Sequence, residues 1–155
     1  MSTGPLAPDP TPAEDLARRW REERSAAAAA HAAALDRAGR AESVQARRLI
    51  ADFVAEAHRL GLEPGRLRAR AYSGGAHYRT GLRGWYLMRQ GTLAVDTAGE
   101  YYVLTVPRSW RSWLWGVTLQ PSDPPLAVGR GARDGESMAL DVLLRLRLAG
   151  GNDWS

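Results

Sequence analysis

The chain has 155 residues, of which 45% are apolar, 25% charged and 8% aromatic, and its formal net charge is +4. This length fits one globular domain with a buried core, since most domains contain about 100–200 residues. The sequence has no cysteine, which excludes disulfide scaffolds, zinc–thiolate sites and cysteine nucleophiles. All 21 basic residues are arginine, and the abundance of Ala, Arg, Gly and Pro is typical of a GC-rich bacterial genome. The arginine content alone is therefore weak evidence for phosphate recognition.

The first residues predict neither a signal peptide nor a packed element. Residues 1–12 contain four prolines, and we expect a disordered tail there. No apolar run reaches the roughly 18 residues that a membrane span requires, so we expect a cytoplasmic protein without membrane contacts. We further expect a helical extension rich in Ala, Arg and Glu at 13–42, a single domain at 43–150, and a tail at 151–155.

A helical period dominates residues 13–60. Its first half has a thin seam around Trp20, padded by alanine, whereas its second half has a clear apolar stripe that ends at Gly61. Gly39 leaves two alternatives open: one long helix with or without a kink, which we favour, and two antiparallel helices. The stripe consists of Ala46, Leu49, Ile50, Phe53, Val54, Ala57 and Leu60.

From Leu67 the period changes to two, which predicts strands. Arginine alternates with Leu67, Ala69 and Ala71, as in a half-buried strand. We expect a glycine-rich loop over 73–84, and then a meander of three strands at 85–88, 92–96 and 100–106, with glycine in the tight turns.

The remaining segments predict short elements and a closing helix. Ser109 is placed to cap a short helix, 117–119 and 126–128 have the composition of short strands, and a final helix is expected over 138–148. Together these elements predict an α+β fold, with a long N-terminal helix, a small, mostly antiparallel sheet and a C-terminal helix packed on the sheet. The expected core residues are Leu49, Ile50, Phe53, Val54, Leu87, Leu93, Val95, Val103, Leu140, Leu143 and Leu144.

The best functional signal is a basic segment in the central third. Residues 66–89 contain six arginines and no acid, interleaved with aromatic residues and glycines. Arginines at alternate positions of a strand project from one face about 6.6 Å apart, which suits a repeating anion such as a phosphodiester backbone. Neighbouring aromatic rings can stack on unpaired bases. The candidate binding residues are Arg66, Arg68, Arg70, Tyr72, His77, Tyr78, Arg79, Arg83 and Trp85.

We therefore expect a non-enzymatic binding protein whose partner is nucleic acid or an acidic protein. The alternative is a protein-interaction or structural subunit that uses the N-terminal helix, with self-association through the seam around Trp20. The tryptophan cluster Trp110, Trp113 and Trp115 is the other candidate interface, because tryptophan is enriched in binding hot spots. An enzyme acting on a phosphorylated substrate near His77 and Arg79 has the least support.

Other sites have weak signals. The loop Gly129–Ser137 is rich in glycine and precedes a helix, but it lacks both phosphate-binding motifs that such loops carry. The three histidines are far apart in sequence, and no spacing typical of a metal site occurs. We expect no catalytic residues, no metal and no cofactor.

Overall fold

The computed structural model describes residues 11–129 and 137–154, without the side chains of Trp110 and Trp113. Its contacts divide the chain into two units, Met1–Arg40 and Ala41–Ser155. The predicted α+β class is confirmed. The elements are α1 (Pro12–Arg59), β1 (Gly65–Ala71), β2 (His77–Tyr86), β3 (Leu93–Asp96), β4 (Tyr101–Val103), β5 (Thr105–Val106), α2 (Trp110–Trp115), β6 (Ala127–Val128), β7 (Met138–Ala139) and α3 (Leu140–Ala149).

Helix α1 begins with a reciprocal cap. The Thr11 hydroxyl accepts a hydrogen bond from the backbone N–H of Glu14, and the Glu14 carboxylate accepts one from the backbone N–H of Thr11 at 2.7 Å. The hydrogen bonds that the Glu14 carboxylate accepts from the backbone N–H and the hydroxyl of Thr11 lower its pKa. The helix continues through Gly39, so the single-helix alternative is confirmed. Every residue from 16 to 41 is exposed, as expected for an alanine-padded helix with so thin a seam.

The second half of α1 packs through the predicted stripe. Ala46, Ile50, Phe53 and Ala57 are buried. The helix ends at Arg59, and two residues later Gly61 has a left-handed φ. The N–H of Leu62 then bonds back to the carbonyl of Ala57 at 2.9 Å. This end directs the chain towards β1.

The sheet has the order β4-β3-β2-β1-β5, and all its pairings are antiparallel except the parallel β1–β5 pair. Its edge strands β4 and β5 are consecutive in the chain, with only Leu104 between them. The Leu104 N–H donates to the carbonyl of Thr92, and its own carbonyl accepts from the N–H of Arg70. The segment 101–106 therefore pairs with β3 through β4 and with β1 through β5, which closes the sheet.

The two faces of this sheet have separate cores. One face carries Trp85, Val95 and Tyr101 against α1 and α3. The opposite face lines the inside of the closed sheet with two smaller clusters. Their buried members are Leu67, Ala69, Ala71, Tyr78, Ala94, Tyr102, Leu104 and Val106.

Four details differ from the predictions. The loop expected over 73–84 is wrong for most of its length, because β2 begins at His77 and pairs with β1. Val103 was expected in the core but is exposed, since the cluster under the helices includes Tyr101 and ends before Val103. The final helix begins at Leu140 rather than 138, because Met138 and Ala139 pair with β6. No strand is assigned at 117–119.

The last residues of the described chain pack against the domain instead of forming the expected tail. The Asn152 side chain accepts a hydrogen bond from the Glu63 N–H and donates to the Gly61 carbonyl. The ring of Trp154 lies between the guanidinium groups of Arg89 and Arg147, at 5.2 and 5.4 Å. Residues 1–10, for which we expect a disordered tail, lie outside the described part of the chain. Within that part, no helix has the length and apolarity to cross a membrane.

Candidate polyanion-binding face

Strand β1 presents its arginines on one side. Arg66 and Arg68 are exposed and Arg70 is half-buried, whereas Leu67 and Ala69 between them are buried inside the closed sheet. This alternation follows directly from the two-residue period of a strand. The half-buried strand predicted from the sequence is confirmed.

Strand β2 places further basic groups opposite these residues. Arg79 is directly opposite Arg68, Arg83 is opposite Arg66, and His77 is opposite Arg70. Residues directly opposite in an antiparallel pair lie on the same face. We call this group of side chains the arginine face; its members are Arg66, Arg68, Arg70, His77, Arg79 and Arg83.

No side chain of the arginine face forms an ion pair within the described residues. The ion pairs found in residues 11–129 and 137–154 lie on α1 and α3, or join α1 to Asp123. Only neutral carbonyls contact the guanidinium groups of the face: Arg70 donates to Gln90 at 3.2 Å and Arg83 donates to Pro64 at 3.1 Å. Like charges directly opposite in a sheet are destabilising. The bare face therefore carries an electrostatic cost that a bound anion would relieve.

A bulge opens a cleft in the middle of this face. Between the two Arg–Arg pairs, β2 has Thr80, Gly81 and Leu82 where β1 has only Leu67. Gly81 has a φ of +74°, and the Thr80 hydroxyl donates to the Leu67 carbonyl at 2.6 Å. The resulting cleft has a volume of about 360 Å³, and four arginines line it: Arg66, Arg68, Arg79 and Arg83.

Two of the predicted aromatic contacts are buried and do not belong to the surface. Tyr78 is 2% exposed, and its hydroxyl accepts a hydrogen bond from the N–H of Ser109. Trp85 is 1% exposed; its ring packs edge-on against Phe53, and its indole N–H donates to the Leu62 carbonyl at 3.2 Å. Both residues hold elements of the fold together. Treating 77–84 as a strand would have revealed Tyr78, because it alternates with the exposed Arg79.

The other predicted residues of the segment remain at the surface. Tyr72 directly follows β1 and is 70% exposed. His77 is exposed, and its Nδ1 is hydrogen-bonded to the Gly75 carbonyl at 2.9 Å. Of the predicted binding residues Tyr72, Tyr78 and Trp85, Tyr72 is thus the one whose ring a ligand can reach.

Helix α2 adjoins β2 at the arginine face. Its N-cap is Ser109, as predicted, and it ends at Gly116. The next N–H, that of Val117, donates to the Arg79 carbonyl at 2.8 Å. Trp115 lies in the last turn of α2 and is 87% exposed. The side chains of Trp110 and Trp113, the other members of the predicted cluster, lie outside the described atoms.

The structure describes the remaining sequence candidates to different extents. Trp20 is 60% exposed on the first half of α1, in the other unit. The Gly129–Ser137 loop falls almost wholly outside the described residues. His58 packs edge-on against Trp85. Within the described ranges, no cluster of three His, Asp or Glu side chains has the arrangement of a metal site.

Asp96, an acidic residue at the end of β3, forms its hydrogen bonds within the neighbouring turn and strand. One carboxylate oxygen accepts hydrogen bonds from the N–H groups of Ala98 and Glu100, each at 2.9 Å. The other oxygen accepts one from the Tyr102 hydroxyl at 3.2 Å. These bonds fix the β3–β4 turn, so Asp96 is a structural residue in this fold.

Comparison with protein-family models, with curated proteins and with solved structures finds no match to this chain, so the arrangement of its own side chains is the ground for any function.

Proposed function

We propose that this chain is a non-enzymatic binding protein whose arginine face engages the phosphates of nucleic acid. The observation that carries the proposal is the pair of Arg–Arg registers on β1 and β2, which have no described carboxylate partner. An anion bound between opposed guanidinium groups converts mutual repulsion into attraction on both sides.

The chemistry of arginine suits this ligand. A guanidinium group presents planar donors that match two phosphate oxygens at once, and its charge is retained at every physiological pH. The cleft at the bulge gives a phosphate access to arginines from both strands. The cleft lies between two hydrogen-bonded strands, so its backbone is already ordered, and binding mainly has to order the exposed arginine side chains.

The extent of the face favours a repeating anion over a single small one. Its basic side chains follow two neighbouring strands from the Arg66–Arg83 pair to the Arg70–His77 pair. Along β1 alone the arginines span about 13 Å, at about 3.3 Å per residue. A nucleic-acid strand places charges at regular intervals over such a distance, whereas one phosphate group occupies only part of it.

Fluorescence anisotropy with labelled oligonucleotides at about 50 and 200 mM salt tests the proposal. We expect affinity to fall steeply with salt, and the log–log salt slope to decrease by about 0.7 to 0.9 for each arginine of the face changed to Ala. Arg68→Ala and Arg79→Ala are the informative variants. Arg48→Ala is the matched control, because it removes one exposed positive charge from α1.

Two results would contradict the proposal. One is the absence of oligonucleotide binding at the lower salt concentration. The other is an equal loss of affinity in Arg48→Ala and Arg79→Ala, which would mean that only net charge matters.

A second candidate function is self-association through the first half of α1. Leu16 and Trp20 are both exposed and lie four residues apart, so they share one helix face. Light scattering of the full chain, with Trp20→Ala as the variant, tests this candidate. We expect an oligomer that Trp20→Ala weakens, and a strictly monomeric chain at high concentration would contradict it.

A further inference from the structure

Trp115 is the most exposed large apolar side chain among the described residues, at 87%. An indole of this size normally buries most of its surface, and leaving it in water forfeits the free energy that its burial would supply. An exposed aromatic ring beside a basic surface is a common feature of proteins that bind unpaired bases.

The backbone fixes Trp115 close to the arginine face. The residue after it, Gly116, has a φ of +81°, and a Cβ there would lie 2.7 Å from the Arg79 carbonyl oxygen. The Val117 N–H donates to that same oxygen. Trp115 thus precedes by two positions the residue that bonds to the backbone of Arg79. The Cα atoms of Trp115 and Val117 are at most about 7 Å apart.

We propose, on the basis of the function proposed above, that the ligand is single-stranded nucleic acid and that Trp115 stacks on one of its bases. Arg79 and its neighbours hold phosphates while the indole ring covers the face of an adjacent base. A duplex hides the faces of its bases, so it offers the protein phosphates but no surface for Trp115. Tyr72, two residues beyond Arg70, is the second exposed ring that a strand can meet.

The experiment compares three labelled ligands of equal length: a single strand, an abasic strand with the same phosphates, and a duplex. Stacking of one base contributes about 1–3 kcal/mol, which predicts about 5- to 150-fold tighter binding of the single strand than of the abasic strand. Trp115→Ala should reduce the affinity for the single strand by about the same 5- to 150-fold, towards that for the abasic strand. Trp115→Phe should retain most of it, because a phenyl ring also stacks.

Two readouts separate stacking from loss of structure or charge. The salt slope of Trp115→Ala should equal that of the unmodified chain, since indole carries no charge and the phosphate contacts remain. Leu146→Ala truncates an exposed apolar side chain of α3 and should leave all three affinities unchanged. The melting temperature of Trp115→Ala should stay the same, because so exposed a ring makes few packing contacts.

The possible outcomes distinguish the inference from the function on which it rests. Equal binding of single and abasic strands, with no effect of Trp115→Ala, would overturn the role of Trp115 while leaving arginine-dependent nucleic-acid binding intact. Preference for the duplex would do the same. Absence of binding to every ligand at low salt would overturn both proposals together.

Discussion

Reversing one charge of the arginine face should raise stability and abolish binding at the same time. Arg79 lies directly opposite Arg68 in the β1–β2 pair, and both side chains are exposed. Changing Arg79→Glu replaces a repulsive cross-strand pair with an attractive one. None of the three core clusters includes this residue, so the packing of the domain is untouched.

The size of the effect follows from Coulomb's law. Directly opposed side chains have Cβ atoms about 5 Å apart, and two unit charges at about that distance in water interact by about 0.8 kcal/mol. Arg79→Glu removes one such repulsion and adds one such attraction. After allowance for side-chain flexibility and salt, we expect the free energy of unfolding to rise by about 1 kcal/mol at low ionic strength.

Urea unfolding at two salt concentrations measures this change, and anisotropy with a labelled oligonucleotide measures binding on the same samples. The gain in stability should shrink at high salt, because screening weakens exposed pairs. In an Arg68→Ala background the gain from Arg79→Glu should largely disappear, since its partner has gone. Lower stability of Arg79→Glu, or a gain independent of Arg68, would refute the view that these residues repel each other across the strands.

Three further predictions concern the domain that supports the face. Gly84→Ala should cost about 3 kcal/mol in urea unfolding, because the new Cβ would lie 2.0 Å from the Val95 carbonyl oxygen; wild-type stability would refute the close approach. Burial raises the pKa of Tyr101 from 10.0 to about 12. The free energy of unfolding should therefore be at its full value below pH 10 and fall as the pH rises towards 12, because the unfolded chain ionises this tyrosine first. Tyr101→Phe should flatten this fall in unfolding measurements across that pH range, whereas an unchanged slope would exclude Tyr101 as its source. Arg147→Ala should lower the free energy of unfolding by about 3 kcal/mol, because it removes a buried side chain and leaves two carbonyls without their hydrogen bonds. Arg145→Ala, at an exposed ion pair on the same helix, should lower it by less than about 1 kcal/mol. Equal losses would contradict the role of burial.

Local patterns predicted the elements whose periods are uninterrupted. The stripe through Ile50 and Phe53 needs only the helical repeat, and the exposure of Arg66 and Arg68 needs only the strand repeat. The start of β2 was missed because glycines at 74, 75, 81 and 84 resemble a loop. Two of these have specific tasks inside the paired strand: Gly81 forms the bulge, and Gly84 allows β3 to approach.

The pairing of distant segments could not be read from local patterns. Leu104 joins β3 to β1 through its backbone, and this closure decides which residues face inward. Tyr78 is buried because it points into the closed sheet, whereas Trp85 is buried because α1 packs over the other face. The exposure of the alternating arginines was consequently predicted correctly, and the burial of Tyr78 and Trp85 was not. The contact between α2 and Arg79 had no signal in the sequence.

Codon bias explains only part of the charge composition of the arginine face. A GC-rich genome accounts for the choice of arginine over lysine, and none of the 17 acidic residues of the chain falls in 66–89. One exposed substitution to Glu would relieve each Arg–Arg pair without disturbing the core. Where acids do adjoin the sheet, Asp96 is engaged by its own turn. We propose that this surface keeps its positive charge, at a cost in stability, because it binds an anion: local interactions at a functional site are not optimised for the fold alone.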